Sequence, residues 1–172
     1  MTPGGGSGNA DRCIFMGFNK EGSRSRARRF YAARNISNMN VYLWVAIGGA
    51  LGSVARLGAV ELVSRCWGHE FPWGTLVVNI VGSFVIGFFA TLTDPEMGGR
   101  WPVGVTGRQF FMTGVLGGFT TFSAFSLQTL ALARGSEWTK AGGYAIGSVV
   151  LCLIGVWLGH LAALALNPGR AR

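Results

Sequence analysis

The chain has 172 residues, of which 49% are hydrophobic and only 13% are charged. Soluble domains carry about 25% charged residues, so this composition excludes an ordinary soluble protein and favours a membrane protein. Seven of the 15 Lys and Arg residues lie before residue 40. Most of the net charge of +8 therefore lies in this N-terminal segment, and no basic face remains in the rest of the chain. For that reason we expect no nucleic-acid partner.

Residues 1–40 form a leader rich in Gly, Ser and Arg, with almost no apolar periodicity. This composition predicts disorder, and the leader lacks the apolar stretch of a secretory signal. Met39 stands two residues before the first apolar run. Two interpretations are open: Met39 is the true start of the protein, or the leader is a dispensable cytoplasmic tail.

Four apolar runs follow, at about 41–63, 74–92, 107–133 and 141–166. Each is long enough to cross a hydrocarbon core of about 30 Å, and it must do so as a helix because lipid cannot satisfy backbone polar groups. We therefore predict one four-helix transmembrane domain at 41–166, followed by a short basic tail at 167–172.

Pairs of glycines four residues apart occur in three of the runs, and such pairs let helix backbones approach closely. Because four helices enclose little interior, we also expect an oligomer. The pairs are Gly48/Gly52, Gly114/Gly118, Gly143/Gly147 and Gly155/Gly159.

Polar residues interrupt the first two runs. Arg56 is a cation well inside the first run, where it would snorkel to the interface, attract anions in a vestibule or pair with a helix end. In the second run, Thr75, Asn79 and Ser83 share one helix face. Asn79 brings two N–H donors that suit a dehydrated anion, and interhelical hydrogen bonding is the alternative.

The third run contains the segment GGFTTFSAFS at 117–126, where two glycines and two β-branched threonines weaken a helix. A break here would free backbone carbonyls to line a cavity or hold a cation, and a packed glycine kink is the alternative. Phe122 and Phe125 lie on neighbouring parts of one face. The positive edges of their rings suit an anion that has shed its water.

In the fourth run, Tyr144, Ser148 and Cys152 form a second polar stripe, which would either donate to an anion or serve packing. No Asp or Glu lies near the centre of any run, and no catalytic motif appears in the sequence. We therefore expect no enzyme. A proton-coupled small-cation or multidrug exporter would need a central carboxylate, and it is the alternative to a passive channel.

Three stretches carry a resemblance to a known family, the small fluoride channels called Fluc or CrcB. They are GGALGSVAR at 48–56, WGTLVVNIVGSFVIG at 73–87 and GVLGGFTTFSAFS at 114–126. The resemblance covers roughly residues 41–166, with all four runs in order, and leaves the leader outside.

The resemblance implies an all-α membrane protein of four transmembrane helices, the third broken in mid-membrane, that functions as an antiparallel, dual-topology homodimer. Such a dimer would lie in the plasma membrane or inner membrane. It would export fluoride passively through two pores, which relieves toxicity after HF enters from acidic surroundings.

The resemblance also implies site residues. The carbonyls of Gly117 and Thr120 from both subunits would hold a structural Na⁺ ion at the dimer centre. Arg56 matches the family's arginine, with a vestibule or structural role. Cys152 stands where a Ser or Thr is usual, and Ala124 also replaces a common hydroxyl residue. The fluoride pore would be lined by Asn79, Phe122, Phe125, Tyr144 and Ser148.

The charge balance generates a prediction about orientation. Counted from Met39, four basic residues flank the runs on the side of the termini and three on the other side, so positive-inside bias is almost absent. A chain that starts at Met39 is therefore expected to insert in both orientations, measured with reporters fused to its C-terminus. The leader adds seven charges to one side and should impose one orientation. A single orientation for the Met39 chain would contradict an antiparallel dimer.

Overall fold

A computed structural model describes residues 20–94, 99, 101 and 103–166, with side chains from residue 40 onward. The chain divides into two units between Ser37 and Asn38, and the four membrane-capable helices lie in the second unit. The described elements are all helical: α1 Lys20–Trp67, α2 Trp73–Thr93, α3 Val105–Arg108, a π-helical segment Gln109–Leu116, α4 Gly117–Phe119, α5 Phe122–Arg134 and α6 Trp138–Ala165.

Four stretches of the described chain are long and apolar enough to cross a membrane. They are Asn40–Trp67, Trp73–Thr93, Val105–Arg134 and Trp138–Ala165. These bounds lie within a few residues of the four runs predicted from the sequence, so the prediction of four membrane-capable helices is confirmed. The third stretch, called here the third span, is assembled from α3, the π-helical segment, α4 and α5.

The leader predicted at 1–40 is described in part. Residues 1–19 lie outside the described residues, and from Lys20 the backbone is the beginning of α1. Arg, Ala and Lys are good helix formers, and extending a helix that the apolar residues have already nucleated costs little. The predicted tail at 167–172 also lies outside the described residues.

Helix α1 packs against the third span through glycine. A Cβ atom added to Gly48 would stand 2.6 Å from the carbonyl oxygen of Phe110, and one added to Gly52 would overlap the Val115 carbonyl. A Cβ on Gly118 would stand 2.5 Å from the carbonyl oxygen of Gly49. The two backbones are therefore in direct contact, as the glycine pairs of these two runs predicted.

Helices α2 and α6 pack closely along their length. A Cβ on Gly159 would overlap the Phe84 carbonyl of α2, and one on Gly155 would stand 3.1 Å from the Ile80 carbonyl oxygen. At Gly143 and Gly147 an added Cβ would meet no atom within 4 Å. This last predicted pair therefore makes no close helix contact among the described residues.

A hydrogen-bonded pair joins α2 and α6 near their C-terminal ends. The hydroxyl of Thr91 donates to the Gly87 carbonyl at 2.8 Å, and its oxygen lies 2.8 Å from Nδ1 of His160. A hydroxyl has one proton to donate, so in this arrangement His160 donates through Nδ1 to Thr91. His160 therefore serves helix packing.

The third span is interrupted at Thr120 and Thr121. Thr120 has φ −84° and ψ 155°, and Thr121 has φ −152° and ψ 115°. Both are extended conformations, which β-branched residues favour. The break therefore falls just after the glycine pair that weakens the helix, and the bend that the sequence predicted in this run is present.

The glycine contact between α1 and the third span predicts a difference between two alanine variants of α1. Gly52→Ala should lower the thermal stability of the purified protein in detergent, because overpacking against backbone costs about 1–3 kcal/mol. Gly58→Ala is the matched control, since a Cβ there meets no atom within 4 Å. The control should be neutral or stabilising, because alanine is the better helix former by about 1 kcal/mol. Equal melting temperatures for the two variants would contradict the packing described here.

Candidate functional site

Asn79 of α2 is paired with the backbone of Thr121 at the break. Its Nδ2 donates to the Thr121 carbonyl oxygen at 3.1 Å, and its Oδ1 accepts from the Thr121 N–H at 2.8 Å. Asn79 is 9% exposed. The side-chain amide thus acts as a substitute peptide group for a residue that has left the helix, and it satisfies both polar groups of that residue.

The pairing redirects hydrogen bonds that a continuous helix would make. In an α-helix the Thr121 N–H would donate to the Gly117 carbonyl and the Ala124 N–H to the Thr120 carbonyl. Here the first N–H donates to Asn79, and the second donates to the Thr121 hydroxyl at 3.2 Å. The carbonyls of Gly117 and Thr120 therefore lose their helical donors.

A groove with a volume of about 450 Å³ lies along this break, between α2, the third span and α6. Every described side chain that lines it is neutral. It brings together most of the residues singled out in the sequence: Asn79, Ser83, Gly117, Thr120, Phe122, Phe125, Ser148 and Cys152.

The two phenylalanines stand at the start of α5. Their ring centroids are 5.2 Å apart and the ring planes are inclined by 46°. Phe122 is 76% exposed in the single chain, although it lines the groove. The groove wall that carries Phe122 is therefore not covered by the described part of this chain.

The polar stripe of α6 divides between two environments. Ser148 and Cys152 line the groove, whereas Tyr144 is 2% exposed and packs beside Phe125, with ring centroids 5.3 Å apart. The Tyr144 hydroxyl donates to Oε1 of Gln128 at 2.9 Å. Tyr144 therefore lies behind Phe125 rather than on the groove surface.

Gln128 is a polar residue of this region that the sequence pattern did not indicate. It borders a second cavity of about 380 Å³ near the α1–α2 loop, together with Thr75, His69 and Glu70. Because Oε1 of Gln128 accepts from Tyr144, its amide N–H groups are the donors left for that cavity. Gln128 lies three residues after Phe125 on the same helix, and this spacing could have indicated from the sequence that the two side chains are neighbours.

Arg56 lies on α1 and is partly buried. It is not among the residues that line the groove, and within the described part of the chain it makes no hydrogen bond or ion pair. The structure thus places Arg56 apart from Asn79 and the phenylalanines.

Comparison with known proteins decides the family. A family model described as "CrcB-like protein, Camphor Resistance (CrcB)" matches residues 43–160. The chain belongs to the CrcB-like family. The matched segment contains every candidate site residue from Arg56 to Cys152, and it begins after the leader.

Named relatives of this CrcB-like chain extend the comparison. A protein of Opitutus terrae is 66% identical over 129 residues, which are 75% of this chain and 96% of the relative. A protein of Rhodospirillum rubrum is 56% identical over 128 residues, 74% of this chain and 98% of the relative. One of Methylocella silvestris is 54% identical over 126 residues, 73% of this chain and 95% of the relative. Each of the three is named fluoride-specific ion channel FluC.

The pairing of Asn79 with Thr121 predicts a stability effect in this CrcB-like protein. Asn79→Ala leaves the buried Thr121 N–H and carbonyl without partners, which should cost about 1–3 kcal/mol for each group. The measurement is thermal unfolding in detergent, with tryptophan fluorescence as the readout. Ser83→Ala is the control, because Ser83 lies one turn along the same face and takes no part in the pairing. A melting temperature for Asn79→Ala as high as that of the control would show that Asn79 does not hold the break.

Proposed function

We propose that this protein is a fluoride-specific ion channel that lets fluoride leave the cytoplasm passively and so reduces fluoride toxicity. The observation that carries the proposal is the neutral groove beside Asn79, in a chain whose relatives at 54–66% identity are named fluoride-specific ion channels. The protein is a multi-pass protein of the cell membrane. Its relatives are named as channels and not as enzymes.

The groove offers what a dehydrated anion needs. A conducting pore must replace the water of the ion with groups that bind it well enough to enter and weakly enough to leave. The Asn79 amide has two N–H groups, of which one is used by Thr121, so the other remains as a donor. The Ser148 hydroxyl and the ring edges of Phe122 and Phe125 are the further donors in the proposed path.

The proposed channel is an antiparallel homodimer. Phe122 lines the groove and yet is 76% exposed in the single chain, so the path is incomplete without a second surface. When basic residues are counted from Met39, their near-equal number on the two sides of the runs is compatible with a second copy inserted in the opposite direction. Each copy would then close the groove of the other, giving two pores.

A sodium ion at the centre of the dimer is a further part of the proposal. The carbonyls of Gly117 and Thr120 fit this role, because both have lost their helical donors and released backbone carbonyls are suitable ligands for Na⁺. The same two carbonyls from a second copy would complete the ligand set. When bound, the ion would supply positive charge that holds the two breaks together.

A proton-coupled exporter of small cations is the alternative, and it is not favoured. The relatives carry the name of ion channels. The described side chains along the groove include no carboxylate, which is the group that a proton-coupled exporter would need there.

Fluoride efflux from proteoliposomes of the purified full chain tests the function, with chloride efflux as the ion control. We expect fluoride to leave and chloride to be retained. Phe122→Ile should slow fluoride efflux by about tenfold, because an aliphatic side chain has no positive ring edge. Leu127→Ile is the matched control, since Leu127 is also an exposed apolar residue of α5 but does not line the groove.

Two outcomes would count against the proposal. If the unsubstituted protein does not release fluoride, but takes up an organic cation when a pH gradient is imposed, the exporter would be the better assignment. If fluoride passes and Phe122→Ile conducts as fast as Leu127→Ile, the channel function would stand and the assignment of Phe122 to the path would be wrong.

A further inference from the structure

The groove contains a thiol. Cys152 is partly exposed, makes no disulfide, and lines the groove on α6 together with Ser148 and Phe125. Cys66, the other cysteine that the structure describes, lies near the end of α1 and is exposed outside the groove. A thiol is a weaker hydrogen-bond donor than a hydroxyl, and in addition it can be modified covalently.

Ser148 provides an independent indication that this part of the groove receives a polar group. It lies one helical turn before Cys152, on the same face of α6. It is 5% exposed, and its Oγ is the buried side-chain polar atom that has no hydrogen-bond partner among the described residues. A buried hydroxyl without a partner is costly, so a polar group from outside the chain would stabilise this end of the groove.

We propose that Cys152 is a thiol-modification site that closes the groove, with small organic disulfides as its reactants. The Cys152 thiol gives its proton to solvent, and the thiolate sulfur attacks one sulfur of a disulfide R–S–S–R. A new S–S bond forms between Cys152 and that R–S group, the old S–S bond breaks, and the second sulfur leaves as R–S⁻. A reducing thiol reverses the exchange in the same way.

The modification stops conduction for a physical reason. The adduct replaces the S–H donor with an apolar group next to the unpartnered hydroxyl of Ser148, so a fluoride ion passing this point loses one donor and meets a narrower path. This inference rests on the proposed function, because it takes the groove as the path of fluoride. It also makes the conduction of this chain sensitive to the thiol–disulfide balance around it.

Methyl methanethiosulfonate, whose thiomethyl group is transferred to a thiolate, is the probe. The full chain with Cys13→Ser and Cys66→Ser is reconstituted, treated and assayed for fluoride efflux, and the modified residue is located by mass spectrometry. Treatment should slow efflux by about tenfold or more, the loss expected when a charged species loses one hydrogen-bond donor. Dithiothreitol should restore the rate, and fluoride present during treatment should slow the labelling of Cys152 more than chloride does.

The control is a chain that keeps Cys13 and Cys66 but carries Cys152→Ser, compared before and after treatment. Its efflux should not respond to the reagent. The inference is overturned if that variant is blocked as strongly as the Cys152 chain. It is also overturned if Cys152 is labelled without a change in efflux, or if it is not labelled at all. Failure of the untreated protein to release fluoride is a different result, since it contradicts the proposed function.

Discussion

The pairing of Asn79 with Thr121 is the interaction on which the rest of the site depends. A residue that leaves a helix at membrane depth exposes an N–H and a carbonyl that lipid cannot satisfy. Asn79 satisfies both groups of Thr121 with one side chain. The break is thereby held at a fixed depth on α2, and α5 restarts with the Thr121 hydroxyl as its N-cap. The phenylalanines at the start of α5 take their positions from that cap.

Glycine allows the broken span to be held from both sides. On the α2 side, a Cβ on Gly82 would overlap the γ-methyl group of Thr120, so the glycine leaves room for Thr120. Asn79, about one turn earlier on α2, pairs with Thr121. On the α1 side, Gly118 approaches the backbone at Gly49. Because neither Gly82 nor Gly118 leaves room for a Cβ atom, the broken span is closely packed on both sides.

The sequence predicted the four helices because apolar length is a strong signal in a membrane protein. It also predicted the weak segment of the third run, but the glycines did not reveal which residues would leave the helix. The break falls at Thr120 and Thr121 because a side chain of α2 stabilises it there, and such a tertiary partner cannot be read from one run alone. The position of Tyr144 also depends on a tertiary partner. Its spacing in the sequence predicted that it would line the groove with Ser148, but its hydrogen bond to Gln128 holds it behind Phe125.

The position of the break also links the proposed cation to the proposed anion path. Gly117 and Thr120 line the same groove as Asn79 and Phe122, and a carbonyl oxygen is the negative end of its dipole. Left alone, two released carbonyls would repel an anion in that groove and would each lack a hydrogen-bond partner, at a cost of about 1–3 kcal/mol. A monovalent cation on these oxygens would remove both penalties. In the proposed channel, the helix break, the cation and the anion path would be parts of one electrostatic arrangement. Asn79 holds the break through Oδ1 and one N–H, and its other N–H would serve the anion path.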